Sequence, residues 1–341
     1  MASLSLFQST ILLVLTVLVC YGAFVPNVFA IDPLMSAFEK WAGDFDKVYK
    51  SDAEKLQRFE VFKANLQFIE SMKNQPELTY TVGLNQFADL TNSEFVAKYA
   101  TLTLPKKQKR STSHTHANLT SVPSSIDWRS LGAVTPIKDQ GQCGSCWAFS
   151  AVAAIEGINK IKTGTLISLS EQELVDCDTT CSACNGGYMD YAFQWVIQNG
   201  GITTEADYGY TSATTGTGGT CNTAKTGNHA VTIAGYTDVT TYSETSLMNA
   251  AAVQPISVAI AASGSAFQFY SGGIFTGPCT TQLDHGVTVV GYNNTGSTHY
   301  WIVKNSWGTS WGESGYIRML KDYSKTSGLC GIAIEPSYPT K

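Results

Sequence analysis

Between Ala148 and Lys162 the chain carries almost nothing but apolar residues and good helix formers, and Gly164 follows as a stop. A largely apolar helix of this kind is buried, so the rest of the fold has to wrap around it. The approach to the helix is just as restrictive. The stretch Gln140-Gly-Gln-Cys-Gly-Ser-Cys-Trp-Ala-Phe-Ser150 sets a thiol, Cys146, at the helix start beside a glutamine amide. Unpaired backbone N–H groups and the positive end of the helix dipole favour thiolate there, and the thiolate is the attacking species.

The 341 residues divide into three parts. Residues 1–30 read as a signal peptide. Ile11 to Val19 is an apolar run too short to span a bilayer, and Val28 and Ala30 occupy small-residue positions before a cut. Residues 31–121 are polar, helix-prone and free of cysteine, with a basic stretch from Lys106 to Arg110 that reads as a protease-accessible linker. Residues 122–341 hold eight of the nine cysteines, which argues that the two segments are separate units. That last part has 10 basic against 16 acidic residues and no basic run, which argues against nucleic acid. With an export signal, the cysteines point to disulfides, and spacing alone leaves their pairing open.

A nucleophilic thiol needs a base, and the base needs an orienting partner. Three histidines, His229, His285 and His299, fall after residue 121. His229 and His299 sit in turn-like contexts and read as surface residues. His285 begins an alternating strand pattern, 139 residues after Cys146. Downstream, Tyr300-Trp-Ile-Val-Lys-Asn-Ser-Trp-Gly delivers Asn305, whose amide oxygen suits the second imidazole N–H of His285. Trp307 would shield that bond from water, and Trp311 reads as core.

Together these motifs resemble a papain-family cysteine protease precursor, most similar to the plant bromelain type. Segments such as Gln254-Pro-Ile-Ser-Val and Phe269-Tyr-Ser-Gly-Gly-Ile-Phe-Thr-Gly-Pro-Cys279 carry the second likeness. The resemblance implies an α+β, papain-like two-lobed fold. A helical lobe and an antiparallel β-barrel-like lobe would face each other across a cleft, preceded by a mainly α-helical pro-domain. It implies Cys146 as nucleophile, His285 as general base and acid, Asn305 as its orienter, and Gln140 with the Cys146 N–H as oxyanion donors. It supplies three disulfides, Cys143–Cys184, Cys177–Cys221 and Cys279–Cys330. Cys146 and Cys181 are then left free, Cys181 as an oxidation-prone thiol able to compete in that pairing.

In the segment 31–121, Glu54, Arg58, Phe62, Asn65 and Ile69 recur at helical spacing, and Gly83-Leu-Asn85-Gln-Phe87-Ala-Asp89 follows. Both resemble the family's inhibitory pro-region, whose tail would fill the cleft backwards. The helix's expected final asparagine is displaced, with Lys73 in its place and Asn74 one step later. In the peptidase unit, Gly186 and Gly187 would pair with substrate backbone, and Tyr188, Met189, Ala259, Leu283 and Gly286 would line an apolar pocket. Glu335 at its base would take arginine or lysine.

The implied partners are peptide and protein substrates, the chain's own pro-region and cystatin-type inhibitors. The mature chain is expected to be a monomer, free of the membrane and without cofactor or metal. Asn118 and Asn293 begin glycosylation sequons, and the secretory pathway leads to vacuole, lysosome or the cell exterior. A zinc module built on Cys143-x-x-Cys146 and Cys181-x-x-Cys184 is the rival from another class. The 34 residues between its pairs exceed the usual ~15–20, and it leaves Gln140, His285 and Asn305 unexplained. A catalytically silent homologue would be expected to lack one of those catalytic residues, whereas peptide ligation through the same thioester would need all of them.

Overall fold

The computed structural model describes residues 33–104 and 121–341, so the expected signal peptide, the basic linker and Asn118 lie outside the described residues. Contacts divide the chain after Tyr49. The first unit holds α1 (Pro33–Asp44), in which Phe38 stacks on Trp41 at 5.9 Å and on Tyr49 at 5.8 Å.

The second unit begins with α2 (Asp52–Lys73), β1 (Tyr80–Val82) and α3 (Asn92–Tyr99). Ser51 caps α2 by accepting from the Glu54 N–H, and Glu54 answers by accepting from the Lys50 N–H at 2.6 Å. The predicted face of α2 points at the segment that follows it. Arg58 bonds both carboxylate oxygens of Glu94 at 2.9 Å, and Asn65 donates to the carbonyls of Ala88 and Leu90. Phe62 and Ile69 are buried. Arg58 holds the Glu94 carboxyl down at about 2, and Glu94 also closes the capping box with Thr91 that starts α3. The displaced Asn74 is the C-cap of α2, its side chain donating to the Glu70 carbonyl.

From residue 121 the elements are β2 (Ser125–Asp127), α4 (Cys146–Thr163), α5 (Glu171–Cys177), α6 (Met189–Asn199) and β3 (Gly235–Asp238). There follow α7 (Glu244–Ala251), β4 (Ile256–Ile260), β5 (Tyr270–Phe275), β6 (His285–Asn293), β7 (Tyr300–Lys304), β8 (Tyr316–Leu320) and β9 (Ser337–Thr340). Thirteen of the eighteen residues of α4 are buried, as its composition requires, and Gly164 ends it in the left-handed conformation. One of the thirteen is Glu156, and it is fully bonded: Lys138, Thr135 Oγ1 and the Leu169 N–H all donate to it.

The strands form one sheet in the order β1-β5-β8-β7-β6-β4-β9-β3, with β2 also on β6. As expected for the α+β papain-like fold, helices pack with a sheet whose pairings are antiparallel except for β5 with β8, and the barrel-like sheet does not close. Its first strand, β1, comes from the N-terminal segment and pairs with β5. Disulfides join Cys143–Cys184, Cys177–Cys221 and Cys279–Cys330 across separations of 41, 44 and 51 residues, each worth a few kcal/mol in the chain-entropy account. Among the described residues, no helix is long and apolar enough to cross a membrane.

Gly157, inside α4, lies where a Cβ would stand 2.5 Å from Cγ of Pro255. Replacing an interior helical glycine by alanine ordinarily stabilises by about 1 kcal/mol. Here Gly157→Ala is expected to lower the melting temperature; an unchanged or higher value would mean that the Pro255 loop yields.

Candidate active site

Cys146 is the first residue of α4, and His285 is the first residue of β6. The two elements meet at their starts. Ser150 Oγ donates to the Val287 carbonyl at 2.7 Å, and a Cβ on Gly286 would come within 3.2 Å of the Cys146 carbonyl oxygen. Both side chains are fully buried.

His285 Nε2 lies 2.8 Å from Asn305 Oδ1, and that oxygen also accepts the Ser306 backbone N–H at 2.8 Å. An atom accepting a backbone N–H must be the amide oxygen, so Nε2 is the donor and carries the proton. Nδ1 is then the free lone pair of the neutral ring. It is buried with no well-formed hydrogen bond among the described residues. The Trp307 ring stacks on the imidazole, centroids 4.5 Å apart, and covers the pair from solvent. Trp311 is equally buried and packs edge-on against Trp307.

Gln140 is buried and its amide is oriented in the same way. Ser306 Oγ donates to Oε1 at 2.7 Å, while Nε2 donates to the Cys143 carbonyl at 2.9 Å and keeps a second N–H. Ser306 escaped the sequence reading, although it stands between Asn305 and Trp307 in the motif that drew attention to both.

The groove beside these residues is filled by the end of the N-terminal segment. The Leu102 N–H donates to the Asp284 carbonyl at 2.9 Å and the Thr103 N–H to the Gly187 carbonyl at 3.1 Å. A Cβ on Gly186 would fall 2.1 Å from the Thr101 carbonyl oxygen, and one on Gly187 would strike the Trp147 indole and the Cys181 sulfur. Neither glycine tolerates a side chain, Gly186 because of the chain in front and Gly187 because of the core behind. Earlier in the segment, Phe87 and Phe95 pack edge-on against Trp307.

This covering opposes the effect of the helix start on Cys146. Burial pushes the Cys146 thiol up to about 11, against smaller opposing effects from the Gly286 backbone and from Thr101. Burial likewise brings His285 down to about 4, against the bond to Asn305 and the Tyr99 backbone. Between these values both groups are neutral, so the helix dipole does not prevail while residues 99–103 exclude water. Cys181 is free, as expected, but not activated. Burial first, then the Asp178 carboxylate, raises its thiol, which removes the ground for expecting easy oxidation. Cys143 and Cys184 are joined to each other, so each pair of the zinc reading has lost a cysteine.

Of the pocket residues, Tyr188, Met189, Ala259 and Leu283 belong to one buried cluster that also contains Leu102. A Cβ on Gly286 would meet the Met189 sulfur at 3.2 Å. The Tyr188 hydroxyl donates to Glu335 at 2.8 Å. His229 is exposed, and His299 is half-buried and pairs with Asp322, as suits residues outside the site.

A family model described as papain family cysteine protease matches residues 122–340. The chain belongs to that family. A second model, the cathepsin propeptide inhibitor domain, matches residues 38–95, so this is a papain-family cysteine protease made with its propeptide. The chain is 54% identical over 313 residues to cysteine proteinase RD21A of Arabidopsis thaliana, covering 90% of this chain and 67% of that one. It is 48% identical to fruit bromelain of Ananas comosus, over 91% and 87% of the two chains. Among solved structures, a recombinant stem bromelain precursor superposes with a TM-score of 0.82 at 45% identity, covering 91% of this chain and 99% of that one.

The proton states predict the reactivity of the papain-family precursor. Alkylation of Cys146 by iodoacetamide is expected to be slow from pH 5 to pH 8, below the thiol's raised value of about 11, and to accelerate sharply once residues 33–104 are removed. Equal rates, followed by mass spectrometry of the Cys146 peptide, would refute the neutral pair.

Proposed function

We propose that this zymogen yields an endopeptidase in which Cys146 and His285 act as an ion pair once the pro-segment leaves. The observation that carries this reading is the fixed tautomer of His285. Asn305 occupies Nε2–H, and Nδ1 is held as a buried lone pair with no well-formed hydrogen bond among the described residues, on the strand whose start packs against the start of α4. In this reading Nδ1 takes the thiol proton, and the thiolate adds to the scissile carbonyl carbon. The resulting oxyanion receives the remaining Nε2–H of Gln140 and the Cys146 backbone N–H. His285 passes its proton to the departing amine, leaving a thioester on Cys146. It then deprotonates the water that hydrolyses that thioester. A donor such as Gln140 typically contributes about 2.7–4 kcal/mol to the transition state. An amine replacing water at the last step would give ligation instead.

The way the pro-segment pairs supports the substrate assignments. Its backbone bonds to Gly187 and Asp284 are those an extended peptide would make, as an added strand. Leu102, buried with Met189, Ala259 and Leu283, supports a hydrophobic preference for the second residue on the acyl side. A substrate whose acyl side lies on Gly187 and whose leaving group lies toward Trp307 would run opposite to the pro-segment, which passes Trp307 first. The Tyr188 hydroxyl, by holding Glu335, supports acceptance of arginine or lysine there as well.

We assign residues 1–30 to a signal, 31–121 to the pro-domain and 122–341 to the peptidase. The protein would act as a monomer on peptides in the vacuole, lysosome or cell exterior, open to cystatin-type inhibitors. Asn293, whose side-chain oxygen accepts from both the backbone and the hydroxyl of Thr295 at 2.6 Å, would join Asn118 as a glycan site.

Active-site titration with an epoxysuccinyl label, before and after acid incubation, tests the main reading. One equivalent on Cys146, appearing only after loss of residues up to about 121, is expected; no label after processing would defeat it. For the pocket, Glu335→Ala is expected to lower cleavage of substrates with a basic residue second on the acyl side roughly tenfold or more, the scale of a charged hydrogen bond, with leucine substrates spared. Unchanged cleavage of the basic substrate would remove Glu335 from the pocket.

A further inference from the structure

Gln140 and Ser145 frame the proposed oxyanion site, one carrying the amide donor and the other preceding the peptide N–H of Cys146. A single phenol bonds both. Tyr210 Oη donates to the Gln140 carbonyl at 3.0 Å and lies 2.7 Å from Ser145 Oγ. Its one proton is spent on Gln140, so it accepts from the Ser145 hydroxyl. The ring is held in turn: it packs edge-on against Phe149 of the first turn of α4, centroids 4.9 Å apart at 83°, and the Tyr210 N–H donates to Glu205 at 2.9 Å. Burial keeps the phenol protonated, so the donor persists across the working range of such an enzyme. From the opposite side, Ser306 holds Gln140 by its backbone N–H and its side-chain oxygen.

We propose that Tyr210 is a positioning residue that sets Gln140 and the Ser145–Cys146 peptide at the spacing the tetrahedral oxyanion requires. It touches neither substrate nor the reacting atoms. Without it, Gln140 keeps its bonds to Ser306 and Cys143 and the Ser145 hydroxyl keeps only the long contact to the Cys143 carbonyl at 3.5 Å, so the two donors lose the phenol as a common anchor and share the Cys143 backbone alone. Such a loss falls on the transition state and spares ground-state binding. The inference rests on the oxyanion roles proposed above.

The test compares wild type, Tyr210→Phe, Gln140→Ala and the double variant, each expressed as the full precursor and matured in acid. Tyr210→Phe keeps the ring on Phe149 and deletes only the hydroxyl. It is expected to lower kcat about tenfold with KM nearly unchanged, a fraction of the 10²–10³ typical for losing a whole donor. Affinity for a peptide aldehyde, whose adduct with Cys146 is tetrahedral, should fall by a similar factor. Alkylation of Cys146 by iodoacetamide, which builds no oxyanion, should not change. In the Gln140→Ala background the tyrosine substitution should cost little.

An unchanged kcat in Tyr210→Phe, beside a clear loss in Gln140→Ala, would overturn the positioning role alone. Equal losses in alkylation and aldehyde binding would also overturn it, by showing general disruption. An unchanged kcat in Gln140→Ala would overturn the oxyanion reading and this inference with it. Should Tyr210→Phe fail to fold, Ser145→Ala, which removes the phenol's other partner, must show the same split between aldehyde and iodoacetamide for the proposal to stand.

Discussion

The site depends on how closely the first turn of α4 meets the first residues of β6. Two features permit it. Gly286 has no side chain where a Cβ would crowd both the Cys146 carbonyl and the Met189 sulfur. Ser150 replaces the usual oil-on-oil contact with a bond to the Val287 carbonyl, while its own carbonyl accepts from the hydroxyls of Ser257 and Thr288. Hydrogen bonds between a helix and three points of a sheet fix depth and rotation as apolar packing alone does not. Cys146 and His285 lie far apart in sequence, on rigid elements, and each stands at the end of its element that the contact brings together. The buried carboxylate of Glu156, bonded to Lys138, Thr135 and Leu169, pins the middle of the same helix.

That geometry explains why one segment can silence the site so economically. The pro-segment uses the bonds available to any extended peptide, to Gly187 and Asp284, and adds a strand to the sheet through β1. Its aromatic residues Phe87 and Phe95 stand on Trp307, the ring that already seals the imidazole. Occupation is one part of the effect. The other is removal of water, which disfavours thiolate and imidazolium together and leaves a neutral pair. A covered Cys146–His285 pair of this kind is blocked sterically and is also uncharged.

Much of this was legible in the sequence because the residues involved carry strong local signatures. An apolar run with a glycine stop gave α4, Asn-Ser-Trp after a strand pattern gave Asn305 and Trp307, and helical spacing gave the face of α2 that meets Glu94, Ala88 and Leu90. Less local features were hidden. Nothing along the chain reveals that β5 pairs parallel with β8, since strand direction is set by long connections. Glu156 reads as a flaw in a buried helix until Lys138 is seen beside it. The raised thiol of Cys146 in the covered precursor was not legible, because the helix dipole is a local property and burial by residues 99–103 is not. Ser306 and Tyr210 act through hydroxyls on Gln140, a relation between residues up to 166 positions apart that no spacing rule contains.

The two amides of the site show what this arrangement accomplishes. Asn305 and Gln140 each have a choice of two orientations, and a wrong choice presents oxygen where a donor is needed or a donor where His285 must donate. Two backbone groups decide: the Ser306 N–H takes the oxygen of Asn305, and the Cys143 carbonyl takes the Nε2–H of Gln140, whose oxygen then accepts from the Ser306 hydroxyl. The tautomer of His285 and the orientation of the Gln140 amide are thereby set by backbone groups of Ser306 and Cys143. Preorganisation of this kind lowers the reorganisation required at the moment of reaction. It also leaves His285, Asn305 and Gln140 already oriented while the pro-segment covers them.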